Sequence, residues 1–248
     1  MVDHSNNTVY LVTGANRGIG LALVQLLSTR PNTTVIATAR NPIPAPSPFE
    51  GITPHPSGSA VIPLLLDDAK DEMMGSSTLA SRLLQSAGVR HVNVVVANAG
   101  AASGGFKSVF DTSEEDYKDD FEVNTLGPIR LFQAVWGLLG EGVKGKGGKF
   151  VVVGSSVGSV GGLVTAGGEM EGGVLVCGSY GLSKAGVHWW VMKLRAELKM
   201  QEKEVVVGVV HPGWVQTRMG QGLADAIDKL TMENSGQFWR WDGGVLPW

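Results

Sequence analysis

Tyr180 and Lys184 stand four positions apart in Ser179-Tyr180-Gly181-Leu182-Ser183-Lys184. On a helix this spacing places both side chains on one face, a turn apart. A phenol is a weak acid. An ammonium beside it favours the phenolate and lowers the pKa, which makes the phenol a usable donor and acceptor of a proton at a carbonyl or alcohol oxygen. The pattern YxxxK is common by itself, and its weight comes from what lies upstream.

Upstream is Thr13-Gly14-Ala15-Asn16-Arg17-Gly18-Ile19-Gly20, between an apolar strand-like run and an apolar helix-like one. A glycine-rich strand-to-helix turn lets backbone N–H groups approach a pyrophosphate at the positive end of the helix. The spacing is GxxxGxG rather than GxGxxG. The second strand-like run ends Thr38-Ala39-Arg40, where an NAD-specific site places an acidic residue for the ribose hydroxyls. A cation there, with Arg17 in the first turn, suits a 2′-phosphate, so NADP(H) is preferred over NAD(H). A solvated loop cation is the alternative reading of Arg40. Asp67, after the third run, is placed to accept from an adenine amino group.

These groups need a scaffold. The runs 8–13, 33–39, 61–66, 92–97, 149–154 and 205–210 are rich in Val and Ile, as suits strands buried on both faces of a parallel sheet. Between them, 18–29, 76–87, 113–139 and 180–201 are long enough for helices, with Thr112 and Glu115 a candidate capping box for the third. The alternation predicts an α/β fold: one domain over 1–248, a Rossmann-type doubly wound parallel sheet with helices on both faces. Two stretches break the rhythm. Residues 41–63 hold seven of the eleven prolines and are expected to form an extended loop. Residues 158–179 are dominated by Gly and small apolar side chains and are read as a flap.

Composition narrows the function classes. The net charge is −3, which offers no basic field for a nucleic-acid backbone. Cys177 is the only cysteine, which excludes an internal disulfide and a Cys-based zinc cage. The first residues lack the basic and apolar regions of a signal peptide, and no run reads as a membrane span. A soluble, cytoplasmic protein without membrane or nucleic-acid partners is expected.

Taken in order, these residues resemble the short-chain dehydrogenase/reductase family nearly end to end. The markers are the glycine turn, Asp67, Asn98-Ala99-Gly100, Asn124, Ser156, Tyr180 with Lys184, and Pro212-Gly213. The phrases His211-Pro212-Gly213-Trp214-Val215-Gln216-Thr217, Val187-His188-Trp189 and Leu246-Pro247-Trp248 resemble the branch of norsolorinic acid ketoreductase-like carbonyl reductases. The resemblance implies hydride transfer between a nicotinamide and a carbonyl carbon. Tyr180 would be the proton donor and Lys184 would depress its pKa and bond the nicotinamide ribose. Ser156 would hold the substrate oxygen, with Ser155 as the alternative hydroxyl. Asn124 would anchor a water leading from Lys184 to solvent. Gly14, Asn16, Arg17, Gly18, Ile19 and Gly20 would cradle the phosphates. Asn98, Ala99 and Gly100 would lie over the adenosine-side ribose. Pro212, Gly213, Val215 and Thr217 would border the nicotinamide, the last two at its carboxamide. His211 is read as packing or capping and His188 as structural or at an interface. The interval from Ser156 to Tyr180 is 24 residues, about twice the family's usual spacing. The added length is the 158–179 flap, which bears on the helix pairing by which many relatives form homodimers, so the oligomeric state stays open.

The expected substrate is a neutral ketone or aldehyde, aromatic or polycyclic, against residues 101–106, the flap and 214–222, where Trp214 and Met219 offer apolar lining and no cation. A catalytically silent NADP-sensing protein is one alternative, although sensing needs no proton donor. A nucleotide-sugar epimerase or dehydratase is the other. Those enzymes resemble longer chains, and only 64 residues follow Lys184.

Overall fold

The computed structural model describes residues 4, 6–41, 45–66, 88–139, 147–165, 177–213 and 216–248, with backbone alone at 165 and 216–219. Among the described residues there are seven strands, β1 (Thr8–Val12), β2 (Thr33–Ala39), β3 (Ala60–Leu65), β4 (Val94–Ala97), β5 (Lys149–Val153), β6 (Val206–His211) and β7 (Phe238–Arg240). They form a single sheet in the order β3-β2-β1-β4-β5-β6-β7, and every pairing is parallel. The helices are α1 (Gly18–Ser28), α2 (Glu114–Phe121), α3 (Gly127–Val135), α4 (Val160–Thr165), α5 (Gly178–Met200) and α6 (Gln216–Lys229).

Successive strand residues point to opposite faces, and here both faces are apolar. Val9 and Leu11 of β1 join a core with Leu131 and Val135 of α3 and Val187, Val191 and Leu198 of α5. Tyr10 and Val12 join a second core with Leu23, Val24 and Leu27 of α1 and Leu223 and Ile227 of α6. The sheet is thus covered on both sides, as the unbroken Val/Ile runs predict. Winding reverses between β1 and β4, and the carboxyl ends of these two strands open the crevice in which such sheets bind ligands.

Several local expectations change. The helix expected over 113–139 is broken into α2, a π-helical turn at Glu122–Leu126, α3 and a 3-10 turn at Trp136–Leu138. The cap of α2 is Ser113 with Asp116, a capping box one residue later than Thr112 with Glu115. Thr112 is engaged elsewhere, its hydroxyl donating to Ser108 O at 2.6 Å. Strand β7 is new. Its three residues are too few for a periodic signal, and beyond its pairing with β6 it meets the chain again through an isolated antiparallel bridge between Trp239 and Val245. Between β2 and β3 the described residues form turns and extended chain without a helix, as the prolines of 41–63 predict. Pro63 sits within β3, the opposite edge strand, where a missing N–H is tolerated. The helix expected over 76–87 and positions 166–176 of the flap lie outside the described residues.

Candidate active site

A cleft of about 910 Å³ runs across the carboxyl ends of the strands. At one end is the glycine turn. Gly14 (φ +60) and Gly18 (φ +57) adopt a backbone conformation that side chains disfavour. At Gly20 a Cβ would come 2.4 Å from Gly14 O and 2.6 Å from Asn98 Nδ2, so α1 begins tight against the turn. Asn98 holds the turn from the β4 side: its Nδ2 donates to Thr13 O at 2.8 Å and Gly14 O at 3.2 Å. Thr13 Oγ1 in return accepts the N–H groups of Asn98 and Ala99 at 3.1 and 3.0 Å. The Asn98 amide nitrogen is thus engaged by the turn, and the residue lines the cleft. No side chain caps the amino end of α1, where orphan N–H groups and the helix dipole favour a phosphate. Asn16, Ile19, Ala99, Gly100 and Pro212 also border the cleft. Arg17 and Arg40 line the same end, both exposed, and neither meets a carboxylate among the described residues. Donor set, open helix end and paired guanidiniums fit a dinucleotide bearing a 2′-phosphate. Asp67 and Val215 lie outside the described residues, as does the side chain of Thr217. Gly213 (φ +85) turns the chain after β6 beside Trp241.

At the other end are Tyr180 and Lys184. Helix α5 brings the lysine under the tyrosine, with Nζ 5.6 Å from the ring centroid. Lys184 is 4% exposed and donates to Val153 O at 2.9 Å. Burial lowers its pKa to about 8, against the pull of Asp120. Burial also raises the Tyr180 phenol above its ordinary value, with a hydrogen bond from Ser155 working the other way. The direction is opposite to the expected depression of the phenol, and burial is its main cause.

Both candidate serines follow β5. Ser155 is the serine whose side chain acts on the Tyr180 phenol, in the lowering sense, and its Oγ accepts from Val157 N at 3.3 Å. Ser156 begins the 3-10 turn Ser156–Gly158 and lies one place beyond the contact. In an extended segment adjacent side chains point apart, and Ser155 is the extended cap residue of that turn.

Asn124 occupies the π-helical turn, a feature frequent at functional sites. Its side chain accepts from Ala101 N at 2.9 Å and donates to Ala101 O at 2.7 Å and Ser183 Oγ at 3.0 Å. It ties the loop after β4 to α5. A Cβ on Gly100 would come 3.2 Å from Asn124 Oδ1 and 3.7 Å from Lys184 Nζ, so both side chains border the same backbone point.

Sequence reasoning missed Asp120. Fully buried, its carboxylate accepts Ser103 N at 2.6 Å and Ser179 Oγ at 2.6 Å, joining the loop after β4 to the residue before Tyr180. In sequence it is one of two adjacent acids of an acidic helix, and nothing marks which of them faces inward. His188 and His211 are also buried, and desolvation is the main cause that lowers them to about 3 and about 4. Unfolded histidine takes up its proton near 6.5, so below that pH the unfolded chain binds more protons than the folded one. Stability is therefore complete above pH 6.5 and falls as pH drops through the folded pKa values, by up to about 1.4 kcal/mol per pH unit for each histidine. Urea midpoints are expected to decrease steadily between neutral pH and pH about 4, and a flat profile would contradict this burial.

Sheet, crevice and polar cluster together define an α/β oxidoreductase of the dinucleotide-binding kind. The sequence pattern described as short chain dehydrogenase matches residues 8–228, and the chain belongs to that family. The norsolorinic acid ketoreductase of Dothistroma septosporum is 35% identical, across 98% of this chain and 94% of its own. The norsolorinic acid ketoreductase of Aspergillus parasiticus is 30% identical, across 97% and 91%. Among solved structures, the NADPH-bound carbonyl reductase from chicken fatty liver superposes with a TM-score of 0.75 at 25% identity, covering 98% of this chain and 100% of that one. Among the described residues no helix is long and apolar enough to cross a membrane.

Proposed function

We propose that the chain, as one reductase domain, is an NADPH-dependent carbonyl reductase acting on a neutral ketone or aldehyde, aromatic or polycyclic in kind. The observation that carries this reading is the placement of buried Lys184 against the Tyr180 ring, in the cleft whose far end holds the glycine turn. Relatives named for ketone and carbonyl reduction support it.

NADPH, when bound, supplies the hydride for the carbonyl carbon. Gly14, Asn16, Gly18, Ile19 and the open end of α1 would hold its phosphates, and Arg17 and Arg40 its 2′-phosphate. Ser155 Oγ and Tyr180 Oη hold the carbonyl oxygen and meet the charge that grows on it. Tyr180 gives that oxygen its proton. A phenol raised by burial is protonated at neutral pH, the state that reduction requires. Lys184 places positive charge under the ring and aids the departing proton. Asn124 and Asp120 fix the loop after β4 against α5, so the tyrosine and the cleft wall keep one geometry.

The test is oxidation of NADPH, followed by nicotinamide absorbance, with a panel of neutral aromatic ketones and quinones. Binding without oxidation across the panel would overturn the reading. Arg40→Asp is expected to raise the Kd for NADPH by about tenfold to a hundredfold while leaving that for NADH within about threefold, the loss of a charge-assisted contact. Unchanged selectivity in paired titrations would remove Arg40 from the phosphate site.

A further inference from the structure

The two serines of the turn after β5 have their successive N–H groups taken by two histidines from different elements. Ser155 N–H donates to His188 Nε2 at 3.4 Å and Ser156 N–H to His211 Nδ1 at 3.4 Å. His188 lies on α5, one helical turn beyond Lys184; His211 ends β6. We infer that His188 and His211 are positioning residues that fix this turn and so aim the Ser155 hydroxyl at Tyr180, an inference that rests on the reductase reading for its kinetic consequence.

His188 has little room to be anything else. It is 2% exposed, with its ring 4.5 Å from that of Phe238 and 6.0 Å from that of Trp248. At Gly154 a Cβ would come 2.5 Å from His188 Nε2, so the imidazole reaches the turn over a residue with no side chain. An N–H needs an acceptor, and imidazole accepts through one nitrogen only when neutral. Burial keeps both rings neutral, and the groups facing them do not reverse it: Lys184 and His211 act on His188 in the same sense, against the Gly158 backbone, while Arg240 and Asp242 act oppositely on His211. His188 uses its Nε2, which leaves its Nδ1 to carry the proton, and that buried Nδ1 has no hydrogen-bond partner among the described residues.

The two contacts use different nitrogens, and this yields a test. Glutamine places its oxygen where Nε2 stands; asparagine places it where Nδ1 stands. His188→Gln and His211→Asn are therefore expected to keep kcat within about threefold. His188→Asn and His211→Gln are expected to lower it about tenfold or more, with KM for NADPH unchanged, the cost of a displaced catalytic group. In a Ser155→Ala background the choice between Asn and Gln is expected to make no difference at either position. A second readout needs no turnover. The Ser155 hydrogen bond lowers the Tyr180 pKa, so phenolate absorbance, taken as the difference from Tyr180→Phe, is expected to titrate at higher pH in His188→Asn, as in Ser155→Ala. The same ranking of Asn and Gln at both positions, or an unmoved Tyr180 titration in His188→Asn, would overturn the inference. Should His188→Asn not fold, His211→Gln supplies the same comparison. A parent enzyme that oxidises no NADPH refutes the reductase reading instead, and the phenol titration still judges the histidines.

Discussion

Tyr180→Phe is expected to lower carbonyl-dependent NADPH oxidation about a thousandfold, the scale of a lost general acid, while the Kd for NADPH stays within about twofold. The substitution removes one oxygen and keeps the ring, so the contact with Lys184, whose Nζ lies 5.6 Å from the ring centroid, survives. The phosphate cradle lies at the opposite end of the cleft and uses no atom of Tyr180. Binding and turnover should therefore separate cleanly. Isothermal titration with NADPH and steady-state kinetics on one ketone measure both. A variant that loses binding in proportion to turnover would place the phenol in the cofactor site alone. One that keeps turnover would leave the proton without its assigned donor, and the whole reading would fall with it.

The scaffold for this chemistry was legible because it rests on redundant signals. Continuous Val and Ile runs at β1, β2, β5 and β6, interspersed with helical patterns such as 18–29, 113–139 and 180–201, leave little choice but a parallel sheet covered on both sides. The glycine turn was legible for a similar reason: Gly14, Gly18 and Gly20 are required by backbone shape and close approach, which side chains elsewhere cannot supply. What escaped depends on tertiary contacts. The break of the long helix at Glu122–Leu126 leaves no mark in composition, since one extra residue in a turn changes neither propensity nor periodicity by much. Asp120 differs from Asp119 only in which way it faces. His188 and His211 stand 23 residues apart and acquire a common task when β6 and α5 meet beneath the β5 turn. β7 owes its existence to pairing with β6 along three residues.

Ser155 and Ser156 show the same limit in one dipeptide, and they give the second large effect. Sequence alone left both hydroxyls in play, because either follows β5 at a plausible distance. Their surroundings differ: Ser155 is buried and acts on the Tyr180 phenol, while Ser156 starts the 3-10 turn with its N–H on His211. Removing a donor that meets developing charge on the substrate oxygen costs on the order of a hundredfold in kcat. Ser155→Ala is expected to show that loss with the Kd for NADPH unchanged, and to shift the Tyr180 titration upward because the hydrogen bond that lowers it is gone. Ser156→Ala keeps its backbone N–H, and so its bond to His211, and is expected to retain kcat within about threefold, as befits a side chain outside the preorganised donor set. Single-turnover rates for the two variants on one ketone decide the matter. The reverse order, with Ser156→Ala the crippled enzyme, would mean that the turn rearranges by a residue when substrate binds, and would remove the geometric basis for pairing Ser155 with the phenol.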